Sequence, residues 1–494
     1  MKQLLPLASL ALLGACTVGP GYHAPPAAAD AVARGSFARA TDPALTPAPG
    51  LARWWESLND PALTELVDDA LAHSPDVDLA QARIREARAQ LGAQRAGQLP
   101  SVSASATYLR AQLPGTGIGN TGSGGTGGAA AGGTAASSGG DASTALNFYN
   151  LGGTASWEPD LFGGTRRGVE QARANVGRRF ADLADAQVSL SAQVATAYVN
   201  LRDVQARVRL NRQSTTLQQR ALALTRQRFA AGTASALDVE RLQTELNNTD
   251  AQNVPLGAQV DQYLDQLALL TGRTPGALDA TLGTVAPVPL PPPAVPIGDP
   301  ASLIAHRPDI RSAERALAAS TAGIGVQEAK RYPSIRFMGI FGLGGTAVRD
   351  VIDPSKLTTL LAPQLSWSFL DFGRTRAAVN QARAQRDEAD AQYRQAVLEA
   401  LEDAETSLSR FANTRQQLAQ LVSAEASATR SAQLNDLRVA AGTSSVIDQL
   451  DIERQRLSAS IGVAQARAQL TVSYIAVQKA LGLGWSDPAG SSAR

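Results

Sequence analysis

Cysteine is almost missing from this 494-residue chain: Cys16 is the only one. A single thiol excludes an internal disulfide and any site that needs two thiolates on one metal. Histidine is nearly as scarce, and His23, His73 and His306 are too scattered along the sequence for a zinc site. Neither sign of charge is in excess. The 45 basic and 44 acidic residues are interspersed, so there is no basic stripe for nucleic acid and no acidic tail. Beyond the N-terminus no apolar run reaches the roughly eighteen residues of a membrane-spanning helix. Aromatic residues make up only 5% of the chain, whereas alanine, glutamine and arginine are plentiful; that composition suits long helices more than β-structure throughout. No Ser/His/Asp set, metal cluster or phosphate loop is visible, so an enzyme is not expected and no cofactor is implied. The hexamer GTGIGN lacks the strand–turn–helix context of a nucleotide site.

What is present begins at the N-terminus. Met1 and Lys2 precede an apolar run from Leu4 to Leu13, and Gly14 and Ala15 stand directly before Cys16. These are the charged, apolar and small-residue regions of a secretory signal, too short to persist as a spanning helix. LGAC resembles a bacterial lipobox, which implies that Cys16 becomes the lipid-bearing first residue of the mature chain. In lipoproteins an aspartate after the cysteine usually retains the protein at the inner membrane; Thr17 here implies the outer membrane.

The chain also repeats itself. WEPDLFGGTRRGVEQARA from Trp157 returns as WSFLDFGRTRAAVNQARA from Trp367, and RFAAGTASALD from Arg228 returns as RVAAGTSSVID from Arg438, both at an offset of 210. Upstream, AHSPDV from Ala72 matches AHRPDI from Ala305, and LPSV from Leu99 matches YPSI from Tyr332, both at an offset of 233. Matched blocks in one order indicate duplication. The change of offset places an insertion of 23 residues in the first half, where a Gly/Ser/Thr tract reads as an exposed loop. The halves meet at APVPLPPPAVP, a proline-rich and therefore extended linker. His73 and His306 are duplicate positions at helix ends, which favours a structural use for both.

From Gly164 to about Arg228 there is no proline, and nine of ten heptad positions from Val176 to Val208 are apolar. In the second half Val397, Leu401, Ala404, Leu408, Phe411, Leu418 and Val422 follow the same spacing, broken only by Arg415. Each run spans about 65 residues, or roughly 100 Å of helix. AAGT then interrupts each run with a turn-forming glycine, and the chain returns helically, with Pro255 expected to kink the first return helix. Each half thus holds a long helical hairpin with its tip at residues 230–233 or 440–443. Each half also has two segments of period two, about 99–110 and 146–158 in the first and about 333–344 and 358–370 in the second. Their length and alternation fit transmembrane β-strands, with Trp157 and Trp367 as interfacial aromatics at equivalent depths; two solvent-facing hairpins are the alternative. Four strands cannot close a barrel, and open edges are not tolerated in lipid. Membrane-embedded strands therefore require a symmetric oligomer, of two copies or three.

At this point the residues resemble a family, the TolC-like outer-membrane efflux proteins, and within it the NodT-type lipoproteins that serve resistance-nodulation-division pumps. CTVGPGYHAPP, WWESLNDPAL from Trp54, RPDI from Arg307, LPSV, YPSI, DLFGG, DFGR and the terminal ALGLGW carry the likeness in order. The resemblance implies a mainly α fold with a small β part. Four strands per chain join a homotrimeric twelve-stranded barrel, continued by a periplasmic α-helical barrel. The implied segments are a lipoprotein signal (1–15), a lipidated extended segment (16–60), two repeats (61–271 and 300–486), a belt-forming linker (272–299) and a tail (487–494).

The implied function is a passive exit duct that receives small molecules from an inner-membrane pump through a periplasmic adaptor. Gly232, Thr233, Gly442 and Thr443 at the tips would face the adaptor, and the glycine-rich insertion would be extracellular. In related ducts the periplasmic entrance is closed by acidic and apolar side chains of the second return helix. The matching positions are Ile447 and Asp451, one turn apart, with Asp448 adjacent. Three copies of Asp451 would make a cation-favouring ring and Ile447 an apolar constriction. The first-half counterpart of Asp451 is Arg241, so such a ring would come from the second repeat alone. A pore-free coiled-coil lipoprotein would explain Cys16 and the heptads but not the strands. A protein-secretion channel is the rival within the duct class.

Overall fold

The structure is a computed structural model that describes residues 17–25, 28–113 and 144–485. Cys16 with the signal before it, the glycine-rich tract and the tail lie outside the described residues. In chain order the elements are α1 (Ala29–Arg34), β1 (Leu45–Thr46), a 3-10 turn (Trp54–Leu58), α2 (Pro61–His73), α3 (Pro75–Ala96), β2 (Ser101–Leu113), β3 (Thr144–Trp157), α4 (Gly164–Ala230) and α5 (Ala236–Leu270). They continue with α6 (Asp279–Leu282), β4 (Val295–Pro296), α7 (Pro300–His306), α8 (Pro308–Ala329), β5 (Ser334–Gly345), β6 (Leu357–Ser366), α9 (Arg374–Ala440) and α10 (Val446–Ala480). The duplication is carried into element length. Helices α4 and α9 both have 67 residues, and α5 and α10 both have 35. Pro255 does not end α5, which runs through it.

Local chemistry sets the boundaries. Asp60 caps α2 by accepting from the amides of Ala62 at 3.0 Å and Leu63 at 3.2 Å, with Pro61 in the first turn where no amide donor is needed. His73 and His306 close α2 and α7. Their Nδ1 atoms sit 3.1 Å from the Asp69 carbonyl and 2.8 Å from the Ser302 carbonyl, which accounts for both as helix-end residues.

Two compact units can be distinguished. One comprises Leu91–Glu170 and Ala322–Arg383 with residues 17–21, and holds a four-stranded antiparallel sheet in the order β2-β3-β5-β6. The other comprises Tyr22–Gln90, Gln171–Thr321 and residues from Ala384 onward, and holds the main hydrophobic core.

In this second unit α4 is enclosed. Val194, Ala195, Tyr198, Val199, Leu201 and Arg202 are each at most 3% exposed, although they point in different directions around the helix. A heptad anticipates one seam; here adjacent positions are buried because other segments cover the helix. Tyr198 donates to the Asp60 carboxylate at 2.7 Å, and Arg202 donates to the carbonyls of Leu282 at 3.2 Å and Thr284 at 2.7 Å. By contrast α9 buries a single stripe through Tyr393, Val397, Ala400, Ala404, Leu408 and Phe411. The N-terminal segment crosses α9, where the Glu405 carboxylate accepts from the amides of Ala38 and Arg39, both at 2.8 Å. Arg415, the polar break in the second heptad, meets buried Asp42 at 3.1 Å. Next, β1 pairs in parallel with β4, tying the N-terminal segment to the proline-rich linker.

Three motifs distant in sequence meet in this core. Trp54 packs edge-on against Trp55 and Tyr474, and the Tyr474 hydroxyl lies 2.7 Å from that of Ser57. Arg307 of RPDI donates to the carbonyls of Ala480 at 2.6 Å and Ala400 at 3.2 Å, and its guanidinium pairs with Asp309 and Asp403. Trp485 of ALGLGW lies under the Arg311 guanidinium at 5.2 Å.

Candidate functional site

The sheet is sorted into two faces by its register. Val102, Ala104, Ala106 and Tyr108 of β2 pair with Ala155, Gly153, Leu151 and Tyr149 of β3, and the same face continues through Phe337, Phe341 and Leu343 of β5 to Leu361 and Leu357 of β6. The other face of the first hairpin carries Ser101, Ser103, Ser105 and Thr107 against Ser156, Thr154, Gly152 and Asn150. Hydroxyls pair across it, Ser101 to Ser156 at 2.9 Å and Ser103 to Thr154 at 2.8 Å. Most of the apolar face is open, with Val102 67%, Leu361 74% and Leu365 68% exposed. Among the described residues the outward edges of β2 and β6 pair with no strand.

Aromatic residues stand at both ends of the apolar face. Trp157 ends β3 and stacks on Phe337 at 6.0 Å, and its indole N–H donates to the Gln98 carbonyl at 3.1 Å. Trp367 donates in the same way to the Arg331 carbonyl at 3.1 Å. Those carbonyls are themselves 233 positions apart, so both tryptophans are anchored by repeat-equivalent groups. Trp367 does not lie in a strand as its alternation suggested: β6 ends at Ser366, and Phe369 beyond it is 78% exposed. At the far end Tyr108 stacks on Tyr149 at 4.9 Å. Eight residues separate Tyr149 from Trp157, about 27 Å along a strand at 3.4 Å per residue, comparable with the roughly 25 Å apolar band between aromatic girdles of outer-membrane barrels. The tyrosine pair was not singled out in the sequence, because it depends on a register joining residues 41 apart.

At each hairpin tip the helix stops in the same way. Gly232 and Gly442 take φ of 72° and 69°, which an L-residue with a side chain adopts only at a cost. The amides of Thr233 and Thr443 then reach back to the carbonyls of Arg228 at 2.8 Å and Arg438 at 2.9 Å, a Schellman closure. All four tip residues are exposed. The following helices begin with matching capping boxes, Ser235 with Asp238 and Ser445 with Asp448. Asp448 is therefore occupied as a cap: its carboxylate accepts from the Ser445 hydroxyl at 2.7 Å. The same hydrogen bonds to Ser235 hold the exposed Asp238 carboxyl below its ordinary pKa.

Asp451 and Ile447 share one side of α10. Ile447 is half-buried and lines a shallow cavity with Leu224, Gln227, Arg228, Ala231 and Thr233. Asp451 accepts from Arg454 at 2.6 Å, and Arg454 also pairs with Glu245 of α5, so one guanidinium bridges the two return helices. Burial opposes the charged guanidinium, but the two carboxylates outweigh it and hold Arg454 above its ordinary pKa. Arg454 stands three residues from Asp451, a spacing visible in sequence; Glu245 is on the other return helix and was not identifiable there.

The comparisons with known proteins agree in kind. A family profile described as Outer membrane efflux protein matches residues 66–273 and 300–483. Nodulation protein T of Rhizobium leguminosarum bv. trifolii is 29% identical over 96% of this chain and 96% of its own length. Outer membrane protein OprJ of Pseudomonas aeruginosa is 27% identical, covering 96% of this chain and 94% of that one. Among solved structures, the outer-membrane channel OprN superposes with a TM-score of 0.83 at 32% identity, covering 95% of this chain and all of that one. The Campylobacter jejuni CmeC outer membrane channel gives 0.82 at 21% identity over 97% of each chain, a likeness of fold.

Proposed function

The chain belongs to the outer membrane efflux protein family, and from that premise we propose that it is the exit duct of a tripartite efflux system, passing small molecules out of the cell without chemistry of its own. Three copies each supply four strands to a twelve-stranded barrel, and their long helices continue the duct into the periplasm. The observation that carries this reading is the open-edged sheet. An exposed apolar face flanked by aromatic residues suits lipid, yet the unpaired edges of β2 and β6 forbid a single copy from standing there alone. Closing the barrel satisfies both.

Gly232, Thr233, Gly442 and Thr443 meet a periplasmic adaptor, which connects the duct to an inner-membrane resistance-nodulation-division pump. The tips suit that role because they are exposed and closed by identical local chemistry in both repeats. Ile447 and Asp451 form the periplasmic gate, with the Arg454 bridge to Glu245 as its latch. Asp448 supports the gate from its capping box. Cys16 carries the lipid that assists sorting to the outer membrane; the barrel itself supplies retention. Similar proteins bear names for antibiotic and solvent efflux, including the ArpC and SrpC outer membrane proteins of Pseudomonas putida, and small organic compounds are the proposed cargo here. Deleting the gene in a strain that expresses the cognate pump is expected to raise susceptibility to antibiotics or organic solvents, restored by the wild-type chain. Unchanged susceptibility across such a panel would remove the efflux reading.

A further inference from the structure

The hydroxylated face of the sheet does not stay hydroxylated across all four strands. Register carries the first hairpin's rows directly onto the second. Ser101 and Ser156 continue into Met338 and Ala362, and Ser103 and Thr154 continue into Ile340 and Leu360. The next row toward Trp157 holds Arg336 beside Gln364, with Arg336 paired to Glu158 at 3.2 Å. On the other side of those two rows, away from Trp157, the row runs from Ser105 through Gly152 and Gly342 to Thr358. A two-row apolar patch within the second repeat therefore lies at the depth where the first hairpin carries only hydroxyls; the face turns apolar in the first repeat only farther along, at Leu109 and Phe148. Met338 is 39% and Leu360 55% exposed.

This face is the one turned away from lipid. A ladder of seven hydroxyl and amide side chains from Ser101 to Asn150 is too costly to bury in hydrocarbon, whereas the opposite face is apolar and aromatic over the same rows. Resting on the duct reading above, we infer that Met338, Ile340 and Leu360 form an apolar contact stripe on the water-facing wall of the barrel, and that its occupant is an apolar or amphipathic organic molecule in transit. Threefold repetition then alternates hydroxylated and apolar sectors around the lumen. A cargo with one apolar and one polar side finds complementary walls at the same depth. Water alone gains nothing from the stripe, and a structural use would require a covering element that the described residues do not supply.

The test uses the full-length protein in planar bilayers, with tetraphenylphosphonium as a bulky apolar cation and tetramethylammonium as a small polar control. The wild-type channel is expected to be blocked by tetraphenylphosphonium at concentrations at least tenfold lower than by tetramethylammonium. Replacing the stripe by Met338→Ser, Ile340→Thr and Leu360→Thr is expected to abolish that preference while open-channel conductance persists. In the opposite direction Ser103→Val with Thr154→Val is expected to strengthen the block. Equal block of wild type and stripe variant overturns the stripe, as does loss of assembly in the stripe variant combined with no change in block in the Ser103/Thr154 variant. Absence of any wild-type conductance overturns the duct reading instead.

Discussion

The first repeat's long helix and the second's have the same length, the same tip and the same return helix, yet they live in different surroundings. Helix α4 is covered on nearly every side between Val188 and Gln205, whereas α9 buries one stripe and leaves the rest of its surface open. Duplication preserved what is local: caps, turns and helix length. It did not preserve what lies against the helices: the linker and the start of α2 bond to the first, while the second meets the N-terminal segment at Glu405 and Arg415 and Arg307 at Ala400 and Asp403.

The largest predicted asymmetry is at the start of the paired helices α3 and α8. Arg307 binds two carbonyls and two carboxylates, whereas its first-repeat counterpart is Ser74. Arg307→Ala is expected to cost about 2–3 kcal/mol, mainly by leaving the buried carbonyls of Ala400 and Ala480 without its guanidinium, since Asp309 and Asp403 remain partly solvated. Ser74→Ala is expected to cost about 1 kcal/mol or less. Thermal unfolding followed by circular dichroism in detergent separates them; equal losses would mean that Arg307 is not the pin described.

The tips should behave oppositely, as equals. Gly232→Val and Gly442→Val force a β-branched residue into a left-handed conformation, at about 1–2 kcal/mol each, with open space around both positions. The helix starts repeat the lesson on a smaller scale: Ser235→Ala and Ser445→Ala each remove a capping box worth about 1 kcal/mol. Hydrogen exchange at the first turns of α5 and α10 should accelerate to the same degree, and a marked inequality would break the equivalence of the hairpins.

The smallest difference is one of pH. Burial, then the hydrogen bond to Asp60, pushes the Tyr198 hydroxyl up to about 12, while the equivalent position is Leu408 and cannot ionise. Below pH about 10 the phenol is neutral in folded and unfolded chains and its contribution is intact. As pH rises from there through the folded value, the unfolded chain ionises first and stability falls. Tyr198→Phe is expected to cost about 1 kcal/mol at neutral pH and to lessen the alkaline loss, read from unfolding midpoints between pH 9 and 12. An unaltered alkaline profile would place the sensitivity elsewhere.

Much of this was legible in sequence because it is written locally. Two AAGT turns, proline-free heptad runs and alternating segments specify hairpins and strands without reference to distant residues. The enclosure of α4 was not legible: Tyr198 and Val199 are both buried, and the Asp60 carboxylate that takes the Tyr198 hydroxyl comes from more than a hundred residues away. The end of β6 at Ser366 was missed because Trp367 continues the alternation while its indole bonds to the Arg331 carbonyl instead. The pairing of Glu245 with Arg454 and the stacking of Tyr149 on Tyr108 share one reason for not being legible: each joins residues brought together by the register between elements. Asp448 shows the converse, a residue suggested by position whose carboxylate is engaged by the nearest serine.

Single-channel conductance in planar bilayers tests the central claim most directly, because it asks whether the chain makes a duct closed by its second repeat. Purified wild-type protein should form small, cation-preferring channels. Asp451→Ala, which frees Arg454 from one of its two carboxylates, should raise conductance several-fold and weaken cation preference. Arg241→Ala, at the equivalent place in the first repeat, should leave both unchanged. Wild-type protein that inserts yet conducts nothing, or an Asp451→Ala channel indistinguishable from wild type, would contradict the account.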